Sequence, residues 1–267
     1  MPITHAFKSK LISDDEFHAI DHQVMGLAFS IHNEMGRLWG ETIYRNELAY
    51  RCQKAGFEKV VIEAPVQASY QDFTKFYYAD LILDDAVIYE MKTVQTLIGE
   101  HHQQALNYLF LFGMQHGKLI NMRPPRVESR FVSTRLTFEK RFEYAIEEQG
   151  WQELDTDSLW LKQTMTSLLK EWGAFLDIAL FYDAIIHFRG GEENVVKKIT
   201  VSDGTHESGE QKMHLLNPET AFKISALTKE EKHLEHHLRR FLHYTPLRAI
   251  QWINFNHDRI VFRTLSH

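Results

Sequence analysis

The stretch ADLILDDAVIYEMK, residues 79–92, constrains the fold more than any other part of the 267-residue chain. Two apolar runs flank Asp84-Asp85, the pattern of a β-hairpin. Side chains alternate along a strand, so Ala86, Ile88, Glu90 and Lys92 share one face and Val87, Tyr89 and Met91 the other. On the preceding strand Tyr78, Asp80 and Ile82 share a face opposite Tyr77, Ala79, Leu81 and Leu83. Apolar residues on both faces predict a sheet covered by helices on both sides. If Asp80 lies opposite Glu90, Leu83 faces Val87 across a loop of Asp84, Asp85 and Ala86. Opposed Cβ atoms are about 4.5–5.5 Å apart, and two carboxylates that close repel unless a cation lies between them. A divalent ion held by oxygen ligands meets that need. Lys92, on the face of Glu90, would orient or activate a water beside it. A surface Glu90–Lys92 ion pair, worth about 0–1 kcal/mol, explains the apolar setting less well.

The flanking sequence supplies the rest of an α/β unit. DDEFHAIDHQVMGLAFSIHNEMG carries apolar residues at helical spacing and ends at Gly36, and a second helix runs from near Glu41 to a stop at Gly56. KVVIEAPVQASY reads as a strand before the hairpin, GEHHQQALNYLFLFGMQHG as a helix between glycines, and KLINM and VESRFVSTRL as two further strands around Pro124-Pro125. The predicted order is helix, helix, three strands, helix, two strands: a mixed sheet flanked by helices.

Over roughly residues 15–135, the pattern GETIYRNELAY … FYYADLILDDAVIYEMKTV … HHQQALNYLFLFGMQHGKLINM resembles the bacterial GxxExxY proteins of the PD-(D/E)XK nuclease superfamily. That resemblance implies a restriction-endonuclease-like α/β fold and a metal-dependent nuclease cleaving DNA or RNA. It implies that Asp80, Glu90 and Glu41 ligate Mg²⁺ or Mn²⁺, that Lys92 is the motif lysine, and that Gln104 reaches the same site from the later helix. Tyr44 and Tyr108 match pattern tyrosines with a packing role. Leu38 departs from the family's glycine, with Gly40 nearby, and Met91 stands where Leu or Val is usual.

The second half slides onto the first at nearly one offset. WGETIYRNELAY at Trp39 falls on WGAFLDIALFYD at Trp172, ADLILDDAVIYEMK on MHLLNPETAFKISA at Met213, and Asn121 on Asn254. This predicts two tandem copies of the fold, residues 1–136 and 137–267, paired as an intrachain pseudo-dimer. The chemistry is lost in the second: Glu41 falls on Ala174, Asp80 on His214, Glu90 on Ile224, Lys92 on Ala226 and Gln104 on His237. A degenerate copy without catalytic residues is expected. Within it, GGEENVVKKITVSDGTHESGE is expected to form a strand pair with a loop around Glu207–Glu210, and HLEHHLRRFLHY a helix on which His233 and His237 stand at i, i+4.

Composition narrows the alternatives. A net charge of −6 gives no global basic signature, although a local groove with bound cations is compatible with nucleic acid. A single cysteine, Cys52, excludes an internal disulfide and a multi-cysteine metal site. No run approaches a membrane span of about 18 apolar residues, and MPITHAFKSKLISDDEF lacks an apolar core, so a cytoplasmic chain without a secretory signal is expected. No H-E-x-x-H spacing supports a zinc hydrolase. The remaining competitor is a non-catalytic binding or scaffold protein with a vestigial site.

Overall fold

The structure, a computed structural model, describes residues 2–267. The chain divides into two compact units: Met1–Ser69 with Thr74–Lys140, and Arg141–His267 with Tyr70–Phe73.

The first unit runs β1 (Ile3–His5), α1 (Asp14–Met35), α2 (Glu41–Lys54), β2 (Val60–Tyr70), β3 (Phe73–Leu83), β4 (Val87–Lys92), α3 (Gly99–Phe112), β5 (His116–Asn121) and β6 (Glu128–Ser133). Its six strands lie in chain order across one sheet. β3 and β4 are antiparallel, β4 and β5 parallel, and β5 and β6 antiparallel. The parallel pair is made through the α3 crossover. The sequence order of two helices, three strands, a helix and two strands is present; the short edge strand β1 beside β2 is an addition.

Local chemistry sets these elements. Ser13 accepts from the Glu16 amide while the Glu16 carboxylate accepts from the Ser13 amide, a capping box at the start of α1. Phe17, Val24, Met25, Ala28 and Ile31 recur at helical spacing and join a core with Tyr44, Leu48 and Cys52 of α2 and with Leu81, Val87, Tyr89 and Met91 of the sheet. Lys118 of β5 meets Asp21 of α1 at 2.6 Å, a buried ion pair tying helix to sheet. On the other face α3 sits close: a Cβ at Gly117 would lie 2.9 Å from the Ile88 carbonyl oxygen and 3.4 Å from Leu109. All six residues of β4 are buried, as are all six of β5, so both faces of the sheet are covered as predicted.

The second unit runs β7 (Ala145–Gly150), α4 (Thr156–Trp172), α5 (Ile178–Phe188), α6 (Glu192–Val195), β8 (Val196–Ser202), β9 (Glu207–Asn217), β10 (Thr220–Ser225), α7 (Glu231–His243), β11 (Ala249–Asn256) and β12 (Arg259–Ser266). Its sheet order is β7-β12-β11-β10-β9-β8. From β8 to β12 the pairing senses are antiparallel, antiparallel, parallel and antiparallel. Both units are mixed six-stranded sheets flanked by helices, a form compatible with a restriction-endonuclease-like fold.

Three local expectations are corrected. Glu207–Glu210 is not a loop: these residues are strand β9, paired with Ser202–Thr200 of β8, and the turn is Asp203–His206, closed by the Asp203 carboxylate on the amides of Thr205 and His206. The tryptophans do not correspond, because Trp39 lies in the loop before α2 whereas Trp172 ends α4. The parallel pairs do share one shift, Val87↔His116 against Thr220↔Ala249, a displacement of 133. By that register Glu90 matches Lys223 and Lys92 matches Ser225, rather than Ile224 and Ala226.

Candidate metal and catalytic site

The hairpin pairs in the register expected from placing Asp80 opposite Glu90, Leu83↔Val87, Ile82↔Ile88 and Leu81↔Tyr89, around the turn Asp84-Asp85-Ala86. Asp84 and Asp85 adopt φ of 50° and 56°, a conformation aspartate tolerates better than most residues. Beyond Leu81↔Tyr89, carboxylates replace carbonyls as acceptors. The Asp80 amide donates to Glu90 Oε1 at 3.0 Å, and the Met91 amide donates to Asp80 Oδ2 at 2.9 Å. The two acids are therefore adjacent, each anchored to the other's strand.

Glu90 is 3% exposed and Lys92 8%, with Lys92 Nζ 3.6 Å from Glu90 Oε2. Burial, and then the neighbouring charge of Asp80, push the Glu90 carboxyl up to about 8 against the opposing pull of the Asp80 amide and Lys92. Without another cation, Glu90 holds its proton at neutral pH. Arg45 of α2 lies 3.4 Å from Asp80 Oδ1 and 2.9 Å from Glu63 Oε1.

The remaining sequence-predicted residues are held by other partners. Glu41, the first residue of α2, accepts from the Thr93 amide at 3.2 Å, which fixes it at the end of β4. Tyr44 is fully buried and its hydroxyl donates to the Gly36 carbonyl at 2.6 Å, so it holds the α1–α2 loop in which Leu38 is exposed to solvent. Gln104 of α3 is hydrogen-bonded to the Tyr108 hydroxyl, and Tyr108 is raised above its ordinary range by burial and by the charges of Glu90 and Asp80. The structure thus brings Asp80, Glu90 and Lys92 together directly, with Tyr108 close enough to feel both acids. Among the described residues no three of His, Cys, Asp and Glu converge as a ready metal cluster; Glu41 is turned to Thr93.

Two participants escaped the sequence reading. Arg45 looks like a surface residue of a helix, yet it is 7% exposed and paired to Asp80. Asn121, at the end of β5, is fully buried; its side chain accepts from the Val94 amide at 3.1 Å and donates to the Val94 carbonyl at 2.8 Å, shaping the chain just after Lys92. Its position under a strand end was the one available signal.

The donor set suits a hard divalent ion. Asp80 and Glu90 offer carboxylate oxygens side by side, and burial, then the charge of Asp80, leaves on Glu90 a proton that a cation would displace. Residues 18–132 match the family model of the PD-(D/E)XK nuclease superfamily. Nucleases of this class act on nucleic acid and generally use divalent metals. A solved structure titled "Crystal structure of SSO0001" is similar at 18% identity over 51% of this chain and 72% of that chain, with a TM-score of 0.29. No curated protein matches the chain. No helix among the described residues is long and apolar enough to cross a membrane.

Proposed function

We propose that the N-terminal domain, residues 1–136, is a Mg²⁺- or Mn²⁺-dependent nuclease of the GxxExxY type. The observation that carries this is the Asp80–Glu90 pair, in which the buried Glu90 carboxyl, raised to about 8, stands beside a half-buried Asp80 with an ammonium 3.6 Å from Glu90. Such an arrangement costs stability in a domain that does not use it. Asp80 and Glu90 would hold the ion, and Glu41 would join them after leaving Thr93. The ion supplies polarisation of the scissile phosphate and a lowered pKa for an attacking water. Lys92 positions that water and balances developing negative charge from a fixed, buried location. Gln104, held by Tyr108, orients groups at the rim, and Arg45, 3.4 Å from Asp80 Oδ1, keeps that carboxylate aimed. The buried setting of Glu90 and Lys92 excludes bulk water from the pair.

The second unit, residues 137–267, is read as a degenerate, non-catalytic copy. Three observations support this. The five strands β2–β6 and β8–β12 are paired in the same order, although α6 is extra and β7 lies beside β12 where β1 lies beside β2; the parallel strands share the 133 shift, and the Asn121 clamp recurs: Asn254 accepts from the Leu227 amide at 3.0 Å and donates to the Leu227 carbonyl at 2.9 Å. Where Lys92 stands in the first unit, Ser225 accepts from the Trp252 indole at 2.8 Å, so the site is filled by packing.

A scaffold with a vestigial site is the second reading, favoured by the Glu41–Thr93 bond and the absence of a three-ligand cluster among the described residues. Nicking assays on a panel of single- and double-stranded DNA and RNA with MnCl₂ separate the two. Activity abolished by Lys92→Ala, with an unchanged circular dichroism spectrum, is the expected result; wild-type protein inert on every substrate would favour the scaffold.

A further inference from the structure

The acid site leaves the histidine run of α7 unexplained. His233 and His237 are exposed, one helical turn apart, with their Nε2 atoms 3.0 Å from each other and their rings 4.4 Å between centroids. Two ring nitrogens at i and i+4 on one helix face are a chelating arrangement. The separation is close enough for both nitrogens to reach one ion through bonds of about 2.0–2.1 Å. Imidazole suits Cu²⁺, Ni²⁺ and Zn²⁺, and the general affinity order puts Cu²⁺ first.

We propose that His233 and His237 form a two-nitrogen site for a divalent ion, Cu²⁺ before Ni²⁺ before Zn²⁺, separate from the Asp80–Glu90 centre. The neighbouring groups leave the ion's other positions to water. Glu235 is engaged by Arg239 at 3.0 Å and by Arg263 at 3.0 Å, and His236 meets His237 only by a ring contact at 5.9 Å. The site has a structural consequence as well. α7 begins after Glu230, which has φ of 64° and gives no side-chain cap, so a chelate across its first two turns would fasten an otherwise uncapped helix start. The competing account is a simple hydrogen bond between the two imidazoles.

The test is a titration of the metal-free full chain with CuCl₂, NiCl₂, ZnCl₂ and MgCl₂, read by Cu²⁺ electron paramagnetic resonance and by melting temperature. The proposal expects a Cu²⁺ signal with nitrogen ligands, binding in the order Cu²⁺, Ni²⁺, Zn²⁺, and no response to Mg²⁺ at these residues. His233→Gln and His237→Gln should each weaken the tightest Cu²⁺ phase at least tenfold, while His236→Gln leaves it unchanged. All three positions are exposed, so the variants should fold, and far-ultraviolet circular dichroism verifies this. Cu²⁺ binding that survives the His233→Gln/His237→Gln pair, Zn²⁺ binding tightest, or no binding at all overturns the proposal in favour of the imidazole hydrogen bond.

Discussion

Glu90→Gln keeps the size and hydrogen-bonding capacity of the side chain but removes its titration. In the native protein the carboxyl is raised from 4.5 to about 8, chiefly by burial and next by Asp80. Between those values the folded state holds a proton that the unfolded state has released. Stability therefore falls as pH rises through this window, with the loss complete only above the folded value. Each tenfold step in a protonation equilibrium corresponds to about 1.4 kcal/mol, so the wild-type domain should lose about 4 kcal/mol from this group between roughly pH 5 and roughly pH 9. Glu90→Gln should show no such loss, and it should be the more stable of the two proteins at the alkaline end. The assay is hydrogen exchange of the β4 amides, in buffers containing a chelator, which follows opening of the first unit. Parallel pH profiles for wild type and variant would refute the assignment of a buried, protonated Glu90.

Asp80→Asn removes the second cause of the raised Glu90 pKa, so Glu90 should titrate lower, seen by nuclear magnetic resonance of its labelled carboxyl carbon; the same variant should lose any Mn²⁺-dependent rise in melting temperature, a linkage effect of binding to the native state alone. Asn121→Ala leaves the Val94 backbone unpaired at a fully buried position and should cost roughly 1–3 kcal/mol in chemical denaturation. Asn254→Ala, which strips the matching bonds to Leu227, should cost a similar amount in the second unit.

Much of the first unit was legible because its signals are local. Alternation across residues 77–92 gives the strand faces, placing Asp80 opposite Glu90 gives the register and the Asp84-Asp85-Ala86 turn, and Gly36 and Gly113 mark helix ends as glycines do. Residues whose meaning depends on distant partners were not legible. Arg45 is read as solvated until Glu63 and Asp80 are placed beside it, and Lys118 is a polar interruption of a strand until Asp21, 97 residues away in sequence, neutralises it. β1, three residues long, carries too few positions for a period. At Glu207–Glu210 the composition resembles a loop because the first half of β9 is exposed and therefore polar. The tryptophan match failed because helix lengths differ: α5 has 11 residues where α2 has 14, so a single offset cannot run through both helices and strands.

The most direct test is the position of an ion. Crystals of the full chain grown without metal, then soaked in MnCl₂ and measured at the manganese absorption edge, should show an anomalous peak in contact with carboxylate oxygens of both Asp80 and Glu90. Full manganese occupancy elsewhere, with the Asp80 amide still bonded to Glu90 and no peak between the two acids, would contradict a metal-dependent centre in this hairpin.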